Sequence, residues 1–87
     1  MAVNFPNASR AYDARRQCVT FWGHVDAFEV AFHLDADALR VLSPGVAPDE
    51  AALLNAFDQH RARIESVAAR AWRSRGPTFV RLTATNF

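Results

Sequence analysis

Lysine is missing from this chain: all ten basic residues are arginine. Codon composition accounts for that more simply than a demand for guanidinium recognition. Cysteine is nearly missing. A single Cys18 excludes an internal disulfide and leaves no CxxC or cysteine-rich zinc framework, so a reducing compartment is expected. The three glycines are isolated from one another, which removes the glycine-rich phosphate loop. No apolar run approaches the roughly 18 residues that a membrane span needs, and residues 1–10 contain no apolar signal core. The expected location is the cytoplasm, with no membrane contact.

What is present is a chain of 87 residues, 51% hydrophobic and 22% charged, a balance that favours one folded domain over residues 1–87. Its organising stretch runs from Pro48 to Arg73. On a 3.6-residue wheel Leu53, Phe57, Ile64, Val67, Ala68 and Ala71 share one arc, flanked by Leu54 and Trp72. Gln59, Arg63, Ser66, Arg70 and Arg73 lie opposite. Pro48 suits the first helical position and Asp49 and Glu50 suit the positive end of the dipole, while Gly76-Pro77 stops the helix. At ~1.5 Å per residue such a helix is about 39 Å long, against about 31 Å for a compact chain of this size. It must fray, kink or project.

Before this helix the pattern has a period of two. Val3 to Phe5 reads as a short edge strand ahead of Pro6, Asn7 to Ser9 as a turn, and Tyr12 to Arg16 as a loop or hairpin bend. From Gln17 to Trp22, Val19 and Phe21 alternate with Cys18, Thr20 and Trp22. After a turn over Gly23 to Asp26, Phe28, Val30, Phe32 and Leu34 make the apolar face of a second hairpin strand. Asp35 caps a short helix ending by Leu42, with Leu34 and Leu39 placed as a hydrophobic staple. A last strand follows Gly76-Pro77, from Thr78 to about Thr85. The predicted fold is α+β in two layers: an antiparallel sheet of three or four strands, with a short and a long helix packed on one face, in the order β-β-β-α-α-β.

The run Asn4-Phe5-Pro6-Asn7, then Tyr12-Asp13, Val19-x-Phe21, the alternating strand to Leu34, Leu39, and Phe57-x-x-His60-Arg61 with Ile64-Glu65 resembles the DUF1488 family of small bacterial proteins of unknown function. The resemblance covers nearly the whole chain. It implies a small α+β domain and brings no established activity. It also offers Tyr12, Asp13, His60 and Arg61 as the polar positions that match the family pattern.

Those four are the candidate site. His60 falls inside the apolar arc of the long helix with Arg61 on its flank, and a polar pair buried there without partners would cost several kcal/mol. Tyr12 and Asp13 are the expected partners. The cluster reads either as a structural pin between the N-terminal segment and the helix or as an open site for an anionic ligand or a partner's acidic group.

Other chemistry is scarce. Glu29 and His33 on one strand stand roughly 13 Å apart, too far to share a metal. No nucleophile motif occurs, Asp35 and Asp37 read as helix-start acids, and no metal or cofactor is expected. Residues 59–87 carry six arginines against Glu65, which suits phosphate or simply complements the helix dipole. Trp22 with Thr20 and Arg81 would form a stacking surface if one sheet face were bare, although packing is the simpler reading of Trp22. The expected function is therefore a small non-catalytic interaction or regulatory module with a protein partner. The alternative is nucleic-acid binding through the Arg-rich C-terminal third, and a small hydrolase stands a distant third. Self-association as a homodimer is a further expectation, because a helix longer than its domain, with seven alanines from Ala51 to Ala71, leaves apolar surface for a second copy.

Overall fold

The computed structural model describes residues 3–72 and 79–87. Four strands, β1 (Arg10–Asp13), β2 (Cys18–Val25), β3 (Phe28–Asp35) and β4 (Phe79–Leu82), form one sheet in the order β1-β2-β3-β4. Three helices, α1 (Ala36–Leu42), α2 (Glu50–Gln59) and α3 (Arg61–Ala71), and a terminal 3-10 turn over Ala84–Asn86 complete it. The fold is thus α+β, with a helical layer on one face of a four-stranded sheet. Among the described residues no helix is long and apolar enough to cross a membrane.

The alternation expected for β2 and β3 sets the core. Val19, Phe21 and Val25 on one strand and Val30, Phe32 and Leu34 on the next are fully or almost fully buried against Leu39, Leu53, Phe57, Ile64, Val67 and Ala68 of the helices. A two-residue loop, Asp26-Ala27, joins these strands with Val25 opposite Phe28, so the hairpin is tighter than the four-residue turn predicted. Phe28 shares the apolar face but lies beyond the helical cover and is 45% exposed.

The first strand is displaced from its predicted place. Val3 to Phe5 makes only an isolated bridge, Asn4 to His24, with backbone bonds of 2.9 and 2.7 Å. The edge strand is Arg10–Asp13, paired antiparallel with Cys18–Phe21, and the bend expected over Tyr12 to Arg16 lies at Ala14–Gln17. Pro6 lacks the N–H that would continue the bridge, whereas the turn Ala14–Gln17, with Gln17 at φ 51°, fixes the later register. The arm before Pro6 instead lies over Gly23. A Cβ at Gly23 would sit 2.5 Å from Val3 Cγ1 and 3.0 Å from Phe5 Cε1, so the missing side chain is the space the arm fills. The Phe5 ring then stands 5.9 Å from Phe21 and 5.7 Å from Phe32, and Phe21 stacks on Phe32 at 5.3 Å.

The long helix is broken. Asp49, and not Pro48, stands at its start, its side chain accepting a 3.0 Å bond from the Ala52 N–H. His60, at φ −110° and ψ 16°, ends α2 and begins α3. No proline or glycine lies there, and packing explains the bend: α2 rests against β1 and β2, α3 against β4, and each half keeps its apolar stripe on its own part of the sheet. The longest dimension of the molecule is 36 Å. Trp72 follows α3 as its C-cap; the expected stop at Gly76-Pro77 and the strand start at Thr78 lie outside the described residues.

One pairing departs from the antiparallel prediction. β4 runs parallel to β3, with Ala31 to Leu34 opposite Phe79 to Leu82. A hairpin would have reversed the chain, but here α1, α2 and α3 intervene and return it to the same end of the sheet, as a crossover requires. β4 stops at Leu82, short of the predicted Thr85, because Thr83 and Asn86 close a capping box around the 3-10 turn.

Candidate functional site

The register places a second set of side chains on the sheet face away from the helices. Asp13 stands beside Cys18, Cys18 beside Asp35, Thr20 beside His33, Trp22 beside Ala31, His33 beside Arg81 and Ala31 beside Phe79. No helix among the described residues covers this face. Among the described residues Thr20 and Trp22 are part-exposed there and Arg81 is exposed.

At one end of that face Arg16, Cys18, His33, Asp35, Phe79 and Arg81 line a pocket of about 340 Å³. Asp35 is held in place from outside its own helix: Arg81 donates from Nε and Nη2 to its two carboxylate oxygens at 3.1 and 2.8 Å. Asp35 occupies the N-cap position of α1, yet its side chain makes no cap bond, because Arg81 takes both oxygens. Arg16 is anchored by the turn, where Asp13 accepts from the backbone N–H of Arg15 and Arg16 at 3.1 Å and from Arg16 Nη1 at 3.0 Å. His33 meets the Phe79 ring edge-on at 4.3 Å. Burial pushes the Cys18 thiol above its usual range, and burial together with the Arg16 guanidinium holds His33 below the ordinary imidazole value. Both groups are thus neutral near pH 7. The described residues contain no group of three histidine, cysteine or acidic side chains that could hold a metal.

The four residues singled out from the sequence are not gathered in one place. Asp13 bonds within its own turn on the uncovered side, while Tyr12, opposite Val19, faces the helices and packs on the core. Arg61 is partnered, but by other groups: Nη2 donates to the Ala8 carbonyl at 2.9 Å and to Asp58 at 3.4 Å, Nη1 reaches Glu65 at 3.5 Å, and the guanidinium lies 4.8 Å above the Phe57 ring. Asp58 also accepts a bidentate pair from Arg10, at 2.9 and 2.8 Å. The N-terminal segment is therefore pinned to α2 and α3 through Ala8 and Arg10. His60 is half-buried at the bend, and no side-chain hydrogen bond or ion pair of His60 is found among the described residues.

The Asp58 network predicts a pH dependence. Hydrogen bonding from Arg10, the largest effect, holds Asp58 below the usual carboxylate range. A carboxyl group depressed in the folded state stabilises it above the unfolded value of about 3.9, and the contribution is lost as pH falls through the lower folded value. Both partners are partly exposed, so the gain lies within the ~0.2–1 kcal/mol of solvent-screened pairs. Asp58→Asn is expected to lower stability by that amount at neutral pH and to lose less than the unaltered chain below about pH 4, as urea unfolding at a series of pH values would show.

These features define a class first: a small α+β domain with one helix-covered and one uncovered sheet face and a pocket at the end of the latter. A family model described as "Protein of unknown function (DUF1488)" matches residues 3–81, and the chain belongs to the DUF1488 family. No curated protein and no solved structure matches it.

Proposed function

We propose that this protein is a small non-catalytic interaction module that engages a protein partner through the uncovered face of its sheet. The observation that carries this reading is the face itself: Trp22, Ala31 and Phe79 supply apolar surface, and the flanking charges are already matched, Asp13 with Arg16 and Asp35 with Arg81. A surface of balanced charge with aromatic anchors resembles the centre of a protein interface. The pocket thiol argues against a cysteine hydrolase, since the attacking species is a thiolate and burial here favours the protonated form.

A bare sheet bearing Trp22, His33 and Phe79 also suits base stacking, which is the reason nucleic-acid binding remains the second reading. The cations weigh against it. On this face Arg16 and Arg81 are engaged by carboxylates, and Arg63 and Arg70, which make no ion pair among the described residues, lie on α3 in the helical layer, whereas phosphate binding gains its free energy from guanidinium groups that replace released counterions. The test is affinity purification from the native cell with and without nuclease, using the unaltered chain and Trp22→Glu side by side. Proteins retained after nuclease by the first and lost by the second are the expected result. Release of every partner by nuclease establishes the nucleic-acid reading instead, and full retention by Trp22→Glu removes the uncovered face as the surface of contact.

A further inference from the structure

Granting that the uncovered face is the binding surface, we propose that the pocket at its end is the anchor point and takes the C-terminal aromatic residue of the partner chain, ring against Phe79 and His33 and carboxylate at Arg16 and Arg81. Size comes first. At about 340 Å³ the pocket lies at the small end of ligand sites, enough for one ringed residue and little more. Its walls then sort the occupant by chemistry. Phe79 is 44% exposed, and with the His33 ring set edge-on to it at 4.3 Å it offers an aromatic corner into which a third ring fits in offset or edge-to-face contact. The Cys18 sulfur adds a soft, polarizable patch beside it.

The charge at the rim selects what the ring carries. Arg81 spends Nε and Nη2 on Asp35, and Arg16 spends Nη1 on Asp13, so each guanidinium keeps further N–H donors for a second acceptor. Their side chains are 64% and 70% exposed, placed where an incoming group meets them. The two nearby carboxylates oppose a dianion such as a phosphate monoester, while a single carboxylate is accommodated by two arginines. A chain terminus combines that carboxylate with a side chain on the same residue. The rest of the partner then runs along Thr20 and Trp22.

Proton–nitrogen correlation spectra titrated with N-acetylphenylalanine test this directly, against N-acetylphenylalanine amide, which lacks the charge, and N-acetylalanine, which lacks the ring. The expected result is saturable shifts confined to Arg16, Cys18, His33, Asp35, Phe79 and Arg81 with the first probe, and binding at least tenfold weaker with each of the others. Arg16→Gln should reduce the preference for acid over amide while leaving the spectrum of the remaining fold in place. A pentapeptide ending in phenylalanine should bind more tightly than N-acetylphenylalanine and extend the shifts to Thr20 and Trp22; equal affinity would assign the pocket to free aryl carboxylates and overturn the chain-terminus assignment. Equal binding of acid and amide, or shifts scattered over the surface, overturns the anchor itself. That failure is separate from failure of the interaction reading, which is decided by Trp22→Glu in the purification.

Discussion

Phe57→Ala is expected to cost about 3–5 kcal/mol of folding stability, the range for removing a buried aromatic ring. For a domain whose total stability is of the order of 5–15 kcal/mol, that removes between about a fifth and the whole of it. The ring is fully buried and has neighbours on every side. It packs against Phe21 at 5.1 Å, ties α2 to the sheet, and carries the Arg61 guanidinium on its outer face. The cavity left by Ala cannot close easily, because Phe21 is itself fixed by Phe32 and Phe5. Phe57→Leu, which retains most of the volume, should lose distinctly less. Urea unfolding followed by the fluorescence of buried Trp72 measures both, and a loss below about 1 kcal/mol for Phe57→Ala, small beside the 3–5 kcal/mol of a ring that locks helix to sheet, would show that Phe57 has no such role.

Gly23→Val is expected to expel the N-terminal arm. The first atom of any side chain at this position falls 2.5 Å from Val3 Cγ1 and 3.2 Å from Phe32 Cε2, and Phe32 cannot retreat because it is fully buried in the sheet. The arm is the element that yields. Overpacking of this kind costs typically 1–3 kcal/mol, about 5- to 150-fold in the folding equilibrium. Loss of hydrogen-exchange protection at the amides of Asn4 and His24, which bond each other's carbonyls, is the local signature. Because the closest clash is with one side chain, Val3→Ala combined with Gly23→Ala should lose less than the sum of the two single changes. Unchanged protection at Asn4 and His24 in Gly23→Val would show that the arm accommodates the side chain.

The parts of this fold that were legible in the sequence are those where burial and periodicity coincide. Leu53, Phe57, Ile64, Val67 and Ala68 announced the helical stripe, and Val19, Phe21, Val30, Phe32 and Leu34 announced the hairpin; these are buried, whereas Ala71 and Phe28 on the same predicted faces are half-buried and exposed. β1 was hidden because one of its two helix-facing positions is Arg10, whose charge is answered by Asp58, a residue 48 positions away. No apolar alternation records such a pair. The bend at His60 was equally silent, since it is imposed by the sheet beneath α2 and α3 and not by a breaker residue. Pairing direction is also absent from a strand pattern, and β4 took its parallel course from the helices that return the chain. The pocket was illegible for the same reason: Arg16, Cys18, His33, Asp35, Phe79 and Arg81 come from a turn and three strands and meet only once the register is known. Of the sequence-derived candidates, Arg61 found partners in Asp58, Glu65 and Ala8, while Asp13 turned to its own neighbours, because two residues adjacent in a strand point to opposite faces.

The place of β4 beside β3 has a consequence for how this protein could fail. Among the described residues, the four of β4, anchored by Leu82 in the core and by the Arg81–Asp35 pair, lie along the outer side of β3. β3 is twice as long, is rich in apolar residues, and lacks both proline and glycine. An opening that releases β4 while the hairpin and helices hold would turn β3 into a sheet margin of unpaired amides and carbonyls, the template on which other chains add as strands. While β4 is paired with Ala31–Leu34 and tied by Arg81 to Asp35, those groups of β3 are satisfied within the sheet.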